Sequence, residues 1–235
     1  MRLVEESMTG PDLKTARLSA HWTQQTAASR LGLTQAYLSM VEQGRRPVTA
    51  RLAARAAKVF KLPPTALPLE SEDRMPSAQR DLKADLGALG YPGFAYLSKK
   101  PACNPAQLLS NALDQPDLDA RVVEALPWLV AVYVDMDWDW LTRQAKLHDR
   151  QNRLGFVVGL AAELANKAGD PRRSERLAQH RAELDRSRLV REDTLCHDSM
   201  TQPERKWLEK NRPTEARHWN LLTDLDVKHL SNVPA

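Results

Sequence analysis

The sequence predicts an all-α protein, and three observations carry that expectation. Glycine is scarce, 9 residues in 235, while the 15 prolines fall mostly between periodic apolar runs, a pattern of helices separated by breaks. Within the runs, apolar residues recur at spacings of three and four. Where a run begins there is usually Thr, Asn, Asp or Pro, the residues that cap or open a helix. The length allows one to two domains with real cores.

Taken in order, Pro11 to Trp22 reads as a first helix, with Leu13, Ala16, Arg17 and Ala20 on one side. Thr23 then caps a second, in which Ala27, Ala28 and Leu31 face inward and Gly32 supplies the left-handed turn that ends it. Thr34 caps a third over Gln35–Gln43: Leu38 and Val41 point in, Gln35, Ala36, Ser39 and Met40 point out, and Gly44 terminates it. Thr49 caps a fourth helix through Phe60, and Pro63-Pro64 opens a short fifth ending near Leu67. ESEDRMPS (70–77) is acidic and proline-marked, a linker pattern.

Beyond it, Ser77–Leu89 reads as a helix stopped by Gly90, and GYPG (90–93) as a turn. Asn104-Pro105 opens a helix over Ala106–Leu113, and Pro116-Asp117 opens another through Leu126. Trp138 to Ala168 reads as one long helix on the spacing of Leu147, Leu154, Val158, Ala161 and Ala165, ended by Gly169. Pro171–Leu189, Gln202–Lys210 and Pro213–Leu222 complete the pattern. Trp128, Trp138 and Trp140 suggest an aromatic centre, and Gly155 with Gly159 a face that another helix, or a second copy of the chain, could approach closely. The expected organisation is therefore 1–69, a linker and connecting helix over 70–100, and a larger helical domain over 101–235.

The stretch TQQTAASRLGLTQAYLSMVEQGRRP (23–47) resembles the Cro/C1-type helix-turn-helix, or XRE family, of phage repressors and bacterial regulators. The likeness covers about residues 11–69 and includes Gly32 in the turn, Ser39, Glu42-x-Gly44 and the basic pair that follows. It implies a five-helix DNA-binding domain whose third helix enters the major groove of double-stranded DNA. Gln35, Ala36, Met40 and Ser39 are then the candidate base readers: Gln pairs bidentately with adenine, and Ala or Met packs on a thymine methyl. Thr23, Gln24 and Thr34, at helix N-termini, with Tyr37, Arg45 and Arg46, are candidate phosphate contacts. The family pattern further implies that Gln24 braces Gln35, and that Arg17 pairs with Glu42 to hold the recognition helix by its end.

Charge points the same way. Residues 1–69 carry ten Lys/Arg against four Asp/Glu, while 70–235 carry 24 against 26, so an anionic partner is expected for the first third alone. The first residues lack a secretory apolar segment, and Cys103 and Cys196 stand far apart, which fits reduced thiols in a bacterial cytoplasm, here on the nucleoid. The longest mostly apolar stretch, Leu154–Ala165, falls far short of the roughly 20 residues of a membrane span, so no membrane partner is expected.

Three chemical readings of the larger domain compete with this one. Asp135, Asp137 and Asp139 would share a face if they lay on a strand and could then bind a divalent metal; as acids before a helix they are ordinary caps. Ala168-Gly169 followed by Ser199 is similar to the cleavage and nucleophile residues of self-cleaving repressors, but that protease domain is all-β. Cys196-His197 with His218 and His229 fits no compact zinc spacing. The expectation is accordingly a dimeric, sequence-specific repressor on a palindromic operator, with no enzymatic activity, metal or cofactor. By analogy with regulators built the same way, it is narrowed to an autorepressing antitoxin with a toxin protein as partner. The alternatives are a metabolic or phage-type repressor with a small-molecule effector, and a metal-dependent enzyme using the acidic triplet.

Overall fold

The computed structural model describes residues 8–69, 81–97, 103–230 and 232; the chain divides into two compact units, 1–76 and 77–235. The proposed linker, 70–77, and the first residues of the expected 77–89 helix, through 80, lie outside the described residues.

In the first unit, α1 spans Gly10–Ser19, α2 Gln24–Leu31, α3 Gln35–Glu42 and α4 Ala50–Phe60, followed by a 3₁₀ turn over Pro64–Ala66. Thr9 and Asp12 form a reciprocal capping box at the start of α1. This helix ends before Trp22, short of the expected boundary, because His21 adopts a left-handed backbone (φ 56°). Trp22 leaves the helix and packs on Phe60, with ring centroids 5.2 Å apart, and the Arg30 guanidinium lies 4.3 Å from its ring centroid. Leu13, Ala27, Ala28, Leu31, Leu38 and Val41 form the core together with Leu52, Ala53 and Ala56 of α4, each buried leucine adding roughly 1.5–3 kcal/mol.

The second unit is helical as expected but divided differently. Its elements are α5 (Leu82–Ala88), a 3₁₀ segment (Pro92–Leu97), α6 (Pro105–Asp114), α7 (Ala120–Val132), α8 (Trp138–Leu147), α9 (Gln151–Lys167), α10 (Pro171–Asp185), β1 (Asp193–Thr194), α11 (Gln202–Asn211), α12 (Thr214–His218) and β2 (Leu221–Leu222). α9 is buried almost all round from Gln151 to Ala161 and packs against α7 and α10, so it is the axis of the unit.

Several expected boundaries are corrected. The single helix over 138–168 is two, since Asp149 is left-handed (φ 57°) and the Arg150 N–H donates back to Ala145 O at 2.6 Å, closing α8. Leu147, assigned to the buried stripe of that helix, is 70% exposed. α7 begins three residues after Pro116-Asp117, where Asp119 caps it, and continues through Pro127 because Leu126 to Ala131 are buried; burial there outweighs the roughly 3 kcal/mol that an interior proline costs. The 171–189 helix stops at Asp185. The 213–222 helix shrinks to α12: Asn220 turns the chain (φ 52°) into β2, which pairs in parallel with β1.

Trp128 and Trp138, read as part of an aromatic centre, and the glycines read as a face for close approach are used within the unit. Trp128 packs edge-on against Tyr91, and Trp138 stacks on His180 at 4.1 Å. A Cβ on Gly155 would lie 2.2 Å from the ring of Trp219, and one on Gly159 would lie 2.3 Å from Glu215 Oε1. The close approach is that of α12 to α9 in the same chain, fixed by Arg181, which donates to both Glu215 oxygens at 2.7 and 3.0 Å.

Arg153 of α9, fully buried, ties the unit together. Its Nε and Nη2 donate to the two oxygens of Asp193 at 2.8 Å each, Nη2 also to Asp198 at 3.2 Å, and Nη1 to the carbonyls of Leu113 and Gln115 at 3.0 Å. Burial would raise the Asp193 carboxyl, but its bonds to Arg153 hold it below the usual range.

Candidate nucleic-acid interface

The α2–turn–α3 segment is built from local signals. Thr23 caps α2 by accepting from the Thr26 N–H at 3.1 Å, and Thr34 caps α3 by accepting from the Tyr37 N–H at 3.2 Å. Between them Gly32 takes the left-handed conformation (φ 62°). Arg55 of α4 donates to Leu31 O at 2.6 Å, and its guanidinium would be only 2.9 Å from a Cβ at position 32. The turn thus favours glycine for its left-handed dihedrals, while a Cβ would also displace the Arg55 guanidinium from its place on Leu31 O.

A buried polar cluster fixes α3 against α1. Arg17 donates from Nε to Glu42 Oε1 at 2.6 Å, from Nη2 to Oε2 at 2.9 Å and from Nη1 to Trp22 O at 2.9 Å. The two side chains are only 9% and 2% exposed. Burial alone would raise the Glu42 carboxyl, but the bonds from Arg17 and Gln24 hold it below its ordinary value, and the bond to Glu42 raises Arg17. The Gln24 amide donates to Glu42 Oε2 at 2.9 Å, so its N–H₂ is directed at this cluster instead of bracing Gln35 as the family pattern implies.

With α3 anchored there, Gln35 and Ala36 are exposed on its first turn, Tyr37, Ser39 and Met40 are half-buried, and Gln43 donates to Ser39 Oγ at 3.2 Å. At the far end Gly44 is left-handed (φ 73°), and the N–H groups of Arg45 and Arg46 both donate to Met40 O. Both arginines are exposed. The unit therefore presents two capped helix N-termini, an exposed first turn of α3 and an exposed basic pair beyond its C-terminal end, groups able to meet phosphates.

Gly10 is a structural residue that sequence reasoning misses. A Cβ there would lie 2.0 Å from Val41 O, so only glycine lets the start of α1 abut the end of α3. Its place inside a capping box, between Thr9 and Asp12, disguises it as a loop residue. The other candidate groups are dispersed. Asp137 caps α8 by accepting from Trp140 N at 2.9 Å, Asp135 pairs with Arg176 at 2.6 Å and Asp139 sits in the first turn, so the triplet does not form the face of a strand. Ser199 is bonded to Asp117, His218 to Asp185, and Cys196 is buried. Among the described residues no group of three or more His, Cys, Asp or Glu could hold a metal, and no helix is long and apolar enough to cross a membrane.

Residues 13–67 match the family model described as a helix-turn-helix. No curated protein and no solved structure matches the chain.

Proposed function

We propose that this chain, a DNA-binding transcription regulator whose residues 13–67 are a Cro/C1-type helix-turn-helix, is a repressor that seats two copies on a palindromic operator in a bacterial cytoplasm. The observation carrying this reading is the exposed first turn of α3, with Gln35 and Ala36, on a helix anchored at its other end by Arg17, Glu42 and Gln24. Gln35 reads adenine through its amide, Ala36 and Met40 pack on thymine methyls, and Ser39 adds a hydroxyl at the base edge. Thr23, Thr34, Tyr37 and the backbone N–H of Gln24, whose side-chain amide is held by Glu42, meet phosphates at the helix N-termini, and Arg45 and Arg46 add charge. One such unit covers few base pairs, so two copies about 34 Å apart supply specificity, and their two-fold axis appears as a palindrome. Repression follows from occupancy, because an operator overlapping a promoter excludes polymerase.

The test is a binding site selected from random duplex DNA with the full chain, followed by anisotropy titrations. Gln35→Ala should weaken the selected site by roughly 1–3 kcal/mol and leave random DNA nearly unchanged. Joint replacement of Arg45 and Arg46 by Ala should weaken both and flatten the log K against log salt slope by about 0.9 for each phosphate no longer neutralised. Equal losses on both DNAs for Gln35→Ala would remove α3 from the base-reading role. A toxin encoded beside this gene, and retained by the purified chain, would narrow the reading to an autorepressing antitoxin.

A further inference from the structure

The second unit holds a cleft of about 520 Å³ between the first turn of α7, the 195–200 loop, α11 and the segment after β2. Its walls are mainly aliphatic, with Leu118, Val123, Met200, Leu208, Leu222 and Leu225 lining the floor and sides. Its size suits a small molecule. Two carboxylates, Glu124 and Asp224, and two imidazoles, His197 and His229, also line it.

The two sides of the cleft are held very differently. The 195–200 loop is fixed from behind: Arg153 reaches Asp198, Thr194 Oγ1 donates to Asp198 at 2.6 Å, Leu118 N donates to Cys196 O at 2.9 Å, and Ser199 Oγ donates to Asp117 at 2.6 Å. This framework keeps Cys196 in the left-handed region (φ 54°), a conformation that costs energy for a side chain with no local hydrogen bond to favour it. Opposite, α11 buries Leu208 alone of its ten residues, in a satellite core shared with Met200 and Leu222, and leaves Trp207 54% exposed. A preformed wall therefore faces a lightly attached helix. β1 and β2 join the two sides, since the 195–200 loop leaves one strand and 223–225 leaves its parallel neighbour.

We infer that this cleft is a binding site for a small amphipathic amine, with the aliphatic body on the leucine-lined floor and the ammonium between Glu124 and Asp224. Glu124 is half-buried and Asp224 exposed, and among the described residues neither has an ion-pair partner, so the charge of the cleft complements a cationic head group, whereas a carboxylate ligand would meet repulsion. The site deepens the regulatory reading by giving the second unit a signal to receive, yet its occupancy does not depend on DNA.

The experiment is calorimetric titration of the full chain, without DNA, with n-hexylamine, 1-hexanol and hexanoate. Hexylamine should bind one per chain, at least about ten-fold more tightly than hexanoate, with hexanol between them. Joint replacement Glu124→Gln and Asp224→Asn should erase the preference for amine and retain hexanol binding; Val123→Trp should abolish binding of all three. Methyl resonances of the unaltered chain give the location independently of any variant, and those of Val123, Met200 and Leu225 should move. The inference is overturned if none of the probes saturates, if hexanoate equals hexylamine, or if the shifts cluster elsewhere. A chain that binds hexylamine but selects no DNA sequence would refute the repressor reading alone.

Discussion

Replacing Glu42 by alanine removes the acidic partner of the Arg17 side chain and leaves Arg17 Nε and Nη2 and Gln24 Nε2 without these acceptors, while Arg17 Nη1 keeps Trp22 O. Breaking a buried ion pair from one side costs roughly 3–5 kcal/mol. Arg17 retains 9% exposure, enough for water to reach part of the guanidinium, so the lower end, about 3 kcal/mol, is expected. Native-state amide exchange of the full chain reads this directly: amides of α1 to α3 that exchange through opening of the first unit should do so more than about 100-fold faster, since each 1.4 kcal/mol is a factor of ten. Glu42→Gln keeps the shape and one acceptor oxygen and should lose clearly less. The pH dependence has a fixed sign. Because the folded Glu42 pKa lies below its unfolded value, its contribution is complete above the unfolded glutamate range, about 4.3, and disappears as pH falls through the lower folded value. Unaltered exchange in Glu42→Ala would refute the argument that this pair anchors α3.

Three other expectations concern the second unit. Arg153→Ala leaves Asp193 with the Thr194 N–H at 2.8 Å and Arg150 at 3.8 Å, and should destabilise the unit by about 3 kcal/mol, the lower end for a buried pair, in denaturant titrations; a loss below about 1 kcal/mol, the value of an exposed pair, would mean that water replaces the guanidinium. Gly155→Ala drives a methyl into the Trp219 ring and should cost about 1–3 kcal/mol, visible as a shifted Trp219 indole resonance; an unshifted signal would contradict the close approach. Asp149→Val puts a β-branched residue in a left-handed position and should cost about 1–2 kcal/mol, whereas an unbroken 138–168 helix would tolerate it.

What the sequence discloses, and what it hides, follows from where the controlling interactions lie. Thr23, Gly32, Thr34 and Thr49 act within a few residues of themselves, so α2, the turn, α3 and the start of α4 are legible. The break at Asp149 is not, because the apolar spacing from Leu147 to Leu154 continues across it while Leu147 in fact faces solvent. Arg153 looks like one more basic residue on a helix; its partners are 38 to 45 positions away. Gly155 and Gly159 do mark places of close approach, but periodicity cannot say whether the approaching helix belongs to the same chain. Trp219, the ring that fills the space, carries no signal of its own.

The position of Arg153 also bears on the order in which the polypeptide becomes stable during synthesis. The first unit, 1–76, emerges early, and its Arg17–Glu42 pair spans only 25 positions. The second must wait for Asp193 and Asp198 to neutralise a guanidinium already placed in its central helix, and for Trp219 to cover Gly155. A nascent chain halted before residue 193 would thus carry a finished helix-turn-helix unit joined to helices whose central arginine lacks its carboxylate partners. Short as they are, the segments beyond α10 act as a latch, and nonsense or proteolytic loss of them would leave the second unit without the partners of Arg153 and the cover of Gly155.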